Sequence, residues 1–92
     1  MMFTAKLIVT NACEVAGISE GEWNAKTAEV AELRSVVVRW LYDYGMSERE
    51  IAGLLGWSQQ RVHERKACQK TSWRICAMAS AFAERMKVFA TI

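Results

Sequence analysis

Proline is absent from these 92 residues, glycine occurs five times and histidine once. A chain so poor in helix breakers, with 52% hydrophobic residues and no alternating apolar–polar run of any length, gives strands no foothold. It predicts an all-α fold, a compact bundle of five or six helices in one domain spanning 1–92. No apolar run reaches the ~18 residues a helix needs to cross a bilayer. Lys6 interrupts the short apolar opening segment and no small-residue cleavage site follows, so neither a membrane partner nor a signal peptide is expected. The three cysteines, Cys13, Cys68 and Cys76, are odd in number, widely spaced and without the paired Cys/His spacing of a zinc site. They read as buried small hydrophobes in a reducing cytoplasm. His63 has no second histidine and no cysteine three or four residues away, so it supports neither a metal nor a triad. Glycine-rich phosphate loops, paired carboxylates in a plausible cleft and nucleophile motifs are all missing, which excludes enzyme classes and leaves no cofactor expected.

What is present is a succession of helix signals. From Phe3 to Ala16, Leu7, Ile8, Ala12 and Val15 fall near helical spacing and Gly17 is a natural stop. Ser19-Glu20-Gly21-Glu22 has the order of a capping box, with Ile18 before it and Trp23 after it to clamp a single-turn second helix. Thr27 caps the longest element, Ala28 to Tyr44, in which Val30, Leu33, Val37, Trp40, Leu41 and Tyr44 form a stripe expected to be the spine of the core. Ser72 caps a last helix over 72–90, where Ile75, Cys76, Ala79, Phe82, Ala83, Met86 and Phe89 form one stripe and Met78 and Val88 lie off it. A helix this apolar needs cover on more than one side, from the first helix or from a second copy of the chain in a homodimer.

Between these elements, Met46 to Val62 reads as two short helices joined by a tight turn. Ser47 caps the first with Glu50 three residues on, and Ile51, Leu54 and Leu55 give it one buried face. Gly56 ends it. Ser58 caps the second, in which Gln59, Gln60, Arg61, Val62 and Arg65 begin a polar, basic helix anchored inward by Val62. Apolar helix, glycine turn and basic helix over 47–70 is the order of a DNA-reading helix-turn-helix.

Charge distribution agrees. Residues 1–46 carry four basic groups against six acidic ones, and residues 47–92 carry eight against four. Arg61, Arg65, Lys66, Lys70 and Arg74 face only Glu64 within their stretch, an excess that phosphate attraction and counterion release would use; the competing reading is a solvated basic face.

From Ile8 to Lys70 the chain resembles the C-terminal DNA-binding domain of the bacterial replication initiator DnaA, of the Trp-repressor-like class. The resemblance rests on Ala12-Cys13-Glu14-Val15-Ala16-Gly17-Ile18-Ser19, on Arg34 and the apolar helix after it, on Met46-Ser47-Glu48-Arg49-Glu50-Ile51-Ala52, and on Val62. It implies a six- or seven-helix domain that binds duplex DNA. In that family an Arg-Asp-His-Thr-Thr run precedes the valine; here the matching positions are Trp57, Ser58, Gln59, Gln60 and Arg61. Its basic loop is represented by Lys26 and Arg34, beside Glu29 and Glu32. More loosely, Gly45-Met46-Ser47, Glu50-Ile51-Ala52, Leu55-Gly56 and Ser58 resemble the helix-turn-helix of sigma-factor region 4.

The expected DNA-binding residues are Lys26, Arg34, Ser58, Gln59, Gln60, Arg61, Arg65 and Lys66. Glutamine amides in the first turn of a recognition helix pair with adenine in the major groove, arginines reach guanine or phosphate, and the capped N-terminus holds a phosphate. Arg34 either reaches phosphate or pairs with Glu32 or Glu14. Trp57 is expected to plug the turn and His63 to face the groove or solvent; Glu64 would repel phosphate if it faced the groove, unless Arg61, Arg65 or Lys66 offsets its charge. Two functions follow: a DNA-binding protein serving as a regulator or a replication or phage accessory protein, or the same fold reused as a protein-interaction or assembly module.

Overall fold

The computed structural model describes the backbone of residues 4–67 and 73–90 and the side chains of residues 4–67 and 75–88. Phe3 as a helix start, Cys68, Lys70, the Ser72 cap and the side chains of Arg74 and Phe89 therefore lie outside the described residues. Among those described, every regular element is helical: α1 (Ala5–Ala16), a single 3-10 turn (Glu20–Glu22), α2 (Ala28–Tyr44), α3 (Glu48–Leu55), α4 (Gln59–Ala67) and α5 (Trp73–Ala90). The bundle expected from the sequence is the bundle observed.

The starts of α1, α2 and α3 follow from short polar side chains. Thr4 Oγ1 accepts from Leu7 N, Thr27 Oγ1 from Val30 N and Ser47 Oγ from Glu50 N, while Glu50 Oε1 accepts from Ser47 N to close a capping box. Before the 3-10 turn, Glu22 Oε1 accepts from both the backbone N and the hydroxyl of Ser19. The stop after α3 depends on Gly56, which adopts φ 72°. A Cβ there would meet nothing within 4 Å, so glycine is required for its left-handed backbone and not for room.

Helix α2 is the axis of the molecule and packs on α1, α3, α4 and α5. This explains a departure from the expected stripe. Val30, Leu33, Val37 and Leu41 are buried as predicted, but Arg34, Ser35, Val36 and Val38 are buried too, while Tyr44 is exposed and Trp40 half-buried. A helix with neighbours on several sides has no solvent face along its middle, and periodicity alone does not reveal that. Ser35 Oγ disposes of its proton by donating to Ala31 O at 3.1 Å.

The face of α5 is corrected. Met78, predicted off the stripe, is buried with Phe82 and Met86, whereas Cys76 and Ala79, predicted on it, are exposed. The buried line follows α1 and α2: Trp40 meets Phe82 edge to face, centroids 5.5 Å apart, and Arg85 Nε donates to Asn11 Oδ1 at 3.1 Å while its Nη2 donates to Glu14. Glu14 is thereby committed to α5. The expectation of uniformly buried thiols also divides. Cys13 is buried and Cys76 exposed; burial, with Glu20 and Glu22 nearby, pushes the Cys13 thiol up.

Candidate functional site

Helices α3 and α4 are joined by Gly56, Trp57 and Ser58. Ser58 is the predicted cap: its Oγ accepts from Arg61 N at 3.1 Å and its carbonyl accepts from Val62 N at 3.2 Å. Helix α4 packs on α2 and α3 and has one buried residue, Val62. Ser58, Gln59, Gln60, His63 and Glu64 are exposed, and Arg61, Arg65 and Lys66 are half-buried. At ~100° per residue, Gln60 and Glu64 lie opposite Val62, Arg61 and Arg65 share one flank, and Gln59, His63 and Lys66 share the other.

The Arg61–Arg65 flank is built around tryptophan. Trp57, half-buried in the turn as predicted, stacks on Trp23 with centroids 6.2 Å apart and planes inclined by 19°. The guanidinium carbon of Arg61 lies 4.1 Å from the centre of the Trp57 ring, a cation–π arrangement. Trp23 belongs to the loop that precedes α2, and the same loop is held by Arg34. Arg34 is only 9% exposed; its Nη1 donates to Trp23 O at 2.7 Å and to Ala25 O at 3.0 Å. The expected pairing with Glu32 or Glu14 does not occur: Nη1 is committed to main-chain carbonyls, and the side chain is nearly covered. The next residue after that clamp is Lys26, exposed. Loop, turn and α4 thus meet through Arg34, Trp23, Trp57 and Arg61.

This flank carries unbalanced positive charge. Among the described residues, no carboxylate is in ion-pair distance of Lys26, Arg61 or Arg65. Arg34 registers the imbalance: burial first, then Arg61 and Arg65, hold its guanidinium below the usual arginine value.

The opposite flank is neutralised. Glu48 Oε2 lies 2.8 Å from Lys66 Nζ and 2.9 Å from His63 Nδ1, and Lys66 Nζ also sits 4.2 Å from the centre of the Tyr42 ring. Arg39 Nη1 donates to Lys66 O at 3.3 Å. Lys66, expected as a DNA contact, is the cation of an intramolecular latch between α3 and α4. An open cleft runs beside it, lined by Tyr42, Met46, Ser47, Glu48, Gln59 and Lys66. Of the two alternatives for Glu64, none of the three candidate cations pairs with it; it is exposed and accepts from Gln60 Nε2 at 3.4 Å.

The eight predicted residues therefore separate. Ser58, Gln60, Arg61 and Arg65 stand on the front and basic flank of α4, Lys26 is exposed on the loop before α2, Gln59 turns to the cleft, Lys66 is latched, and Arg34 supports the loop from within. Sequence reasoning missed Glu48, Arg39, Tyr42 and Trp23 as parts of this site; only the position of Trp23 directly after the Ser19–Glu22 box and the acids Glu48 and Glu50 in the first turn of α3 hinted at them. Among the described residues, no group of three or more His, Cys, Asp or Glu side chains is placed to hold a metal ion, and no helix is long and apolar enough to cross a membrane. Compared with protein-family models, curated proteins and solved structures, the chain matches none.

Proposed function

We propose that this protein binds duplex DNA through a helix-turn-helix made of α3 and α4, with α4 entering the major groove, and that it works in the bacterial cytoplasm as a regulator or as a replication or phage accessory protein. The observation that carries this reading is the asymmetry of α4: a single residue, Val62, is buried, while its capped N-terminus and its front, Gln60 and Glu64, are exposed and its Arg61–Arg65 flank, half-buried, has no described carboxylate in ion-pair distance. A groove-reading helix needs that disposition, with base contacts from the outward line and phosphate contacts from a basic side. Lys26, on a loop fixed by Arg34, adds a cation on the same side. The resemblance to the DnaA C-terminal domain supports the reading, and the loss of that family's Arg-Asp-His-Thr-Thr run directs it away from the origin box toward another sequence.

Electrophoretic shift with random duplexes at two salt concentrations tests it. The protein should bind, more weakly as salt rises, and replacing Arg61 and Arg65 by alanine should reduce the log–log salt slope by about two. Binding that is absent, or indifferent to salt, overturns the proposal.

A second reading, a protein-assembly module, is favoured by two observations: Glu64 faces outward at the centre of α4, and Val88 on α5 is 62% exposed. A homodimer through α5 is one form it could take. Sedimentation equilibrium tests that form, since V88E should then convert a dimer to a monomer.

A further inference from the structure

Resting on the DNA-binding reading, the geometry points to Gln60 and Glu64 as a paired base-reading device, in which Glu64 is a specificity-determining residue that selects cytosine and rejects guanine. The two residues are one helical turn apart, both exposed, and both opposite the buried Val62. They form the leading edge of α4. Any groove that admits this helix meets them first, while the arginines lie to the side where the backbone phosphates would run.

The chemistry of that edge is specific. Glu64 is the one acid on α4, and Arg61 does not pair with it because the Arg61 guanidinium lies over Trp57. Its only described hydrogen bond is the weak one from Gln60 Nε2, at 3.4 Å. An ionised carboxylate accepts and never donates. In the major groove, guanine presents the acceptors N7 and O6, which repel it; cytosine presents the N4 amine alone; adenine presents its N6 amine beside the acceptor N7. A carboxylate is therefore matched to cytosine. Adenine, with donor and acceptor side by side, is matched to a glutamine amide. Donation to Glu64 through one Nε2–H leaves Gln60 with its second N–H and its carbonyl oxygen, the pair adenine requires. Four residues of helix advance ~6 Å, about two base-pair steps of 3.4 Å, so the edge reads an adenine and a cytosine within two positions of one another.

The acid has a second effect. Placed at the centre of the leading edge, it opposes the phosphate attraction of the arginines on every duplex and is compensated only where an exocyclic amine meets it. Discrimination is thus gained by weakening non-specific binding.

Selection of bound duplexes from a random pool, with wild type, E64Q and E64A compared, tests this. Wild type should enrich cytosine close to adenine. E64Q should replace that cytosine by adenine. E64A should reduce discrimination at that position by about tenfold, in the range of a single base contact, while random duplexes bind more tightly with an unchanged salt slope. Because Glu64 is exposed, circular dichroism should show both variants folded. Cytosine enrichment that persists in E64A overturns the inference alone, provided R61A/R65A still weakens binding. If wild type binds no duplex at either salt concentration, the underlying DNA-binding reading falls together with it.

Discussion

The ammonium of Lys66, near the end of α4, stands 2.8 Å from the carboxylate of Glu48, the first residue of α3. A residue whose sequence context suggested a phosphate contact is thereby made part of the joint between two helices. The bond has a second consequence. It holds the Glu48 carboxyl below the usual glutamate range, first through the hydrogen bond from Lys66 and then through that to His63, and it raises the Lys66 ammonium above the usual lysine range.

The pH dependence of stability follows. A carboxyl whose folded-state value is depressed adds stability above its unfolded value, near 4.3, and that stability is lost as pH falls through the lower folded value. For Lys66 the sign is opposite: its contribution is present below the ordinary lysine value and is lost as pH rises through the raised one. Thermal melting from pH 7 down to pH 3 should show an acid limb that E48Q flattens. An identical limb in the variant would remove the latch from the account.

Arg34 should be irreplaceable for stability. R34A leaves the carbonyls of Trp23 and Ala25 without their donor in a buried setting and should cost about 2–3 kcal/mol in urea denaturation. R34K should recover little of this, because one ammonium on a flexible stem does not reproduce the fixed fork of the guanidinium. Full stability of R34K would contradict the clamp.

At Ser58, substitution by alanine removes the acceptor for Arg61 N. The expected loss is about 1 kcal/mol, and hydrogen exchange should quicken at the first amides of α4 before it does in α2. Uniform quickening in both helices would show that the cap is not local to α4.

The two described thiols should differ in reactivity. Alkylation of native protein followed by peptide mapping should label exposed Cys76 within minutes and leave Cys13 unmodified until the chain unfolds, since burial and the nearby Glu20 and Glu22 disfavour the Cys13 thiolate. Equal labelling would place Cys13 at the surface.

Local signals in the sequence located most of the elements. Caps at Thr27, Ser47 and Ser58 and stops at Gly17, Gly45 and Gly56 are governed by bonds to residues three or four positions away, and they stand where expected. What escaped was set by distant partners. The burial of Val36 and Val38 depends on how many helices surround α2, the shift of the α5 face from Cys76 to Met78 depends on where α1 and α2 approach it, and the choice of Lys66 between phosphate and Glu48 depends on how α3 crosses α4. The basic flank was half legible: Arg61 and Arg65 share a helical face by spacing, but their link to Arg34 runs through Trp23 and Trp57, thirty-four positions apart in the chain.

Helix α4 is fastened at both extremities, by the Trp57–Trp23 stack before it and by Arg39, which donates to the carbonyl of Lys66, behind it. It is consequently not free to swivel about Val62 like a lever on a pin. Its attitude is preset by α2 and the preceding loop, so whatever it engages must conform to the helix, and the ordering entropy of the encounter falls on the partner.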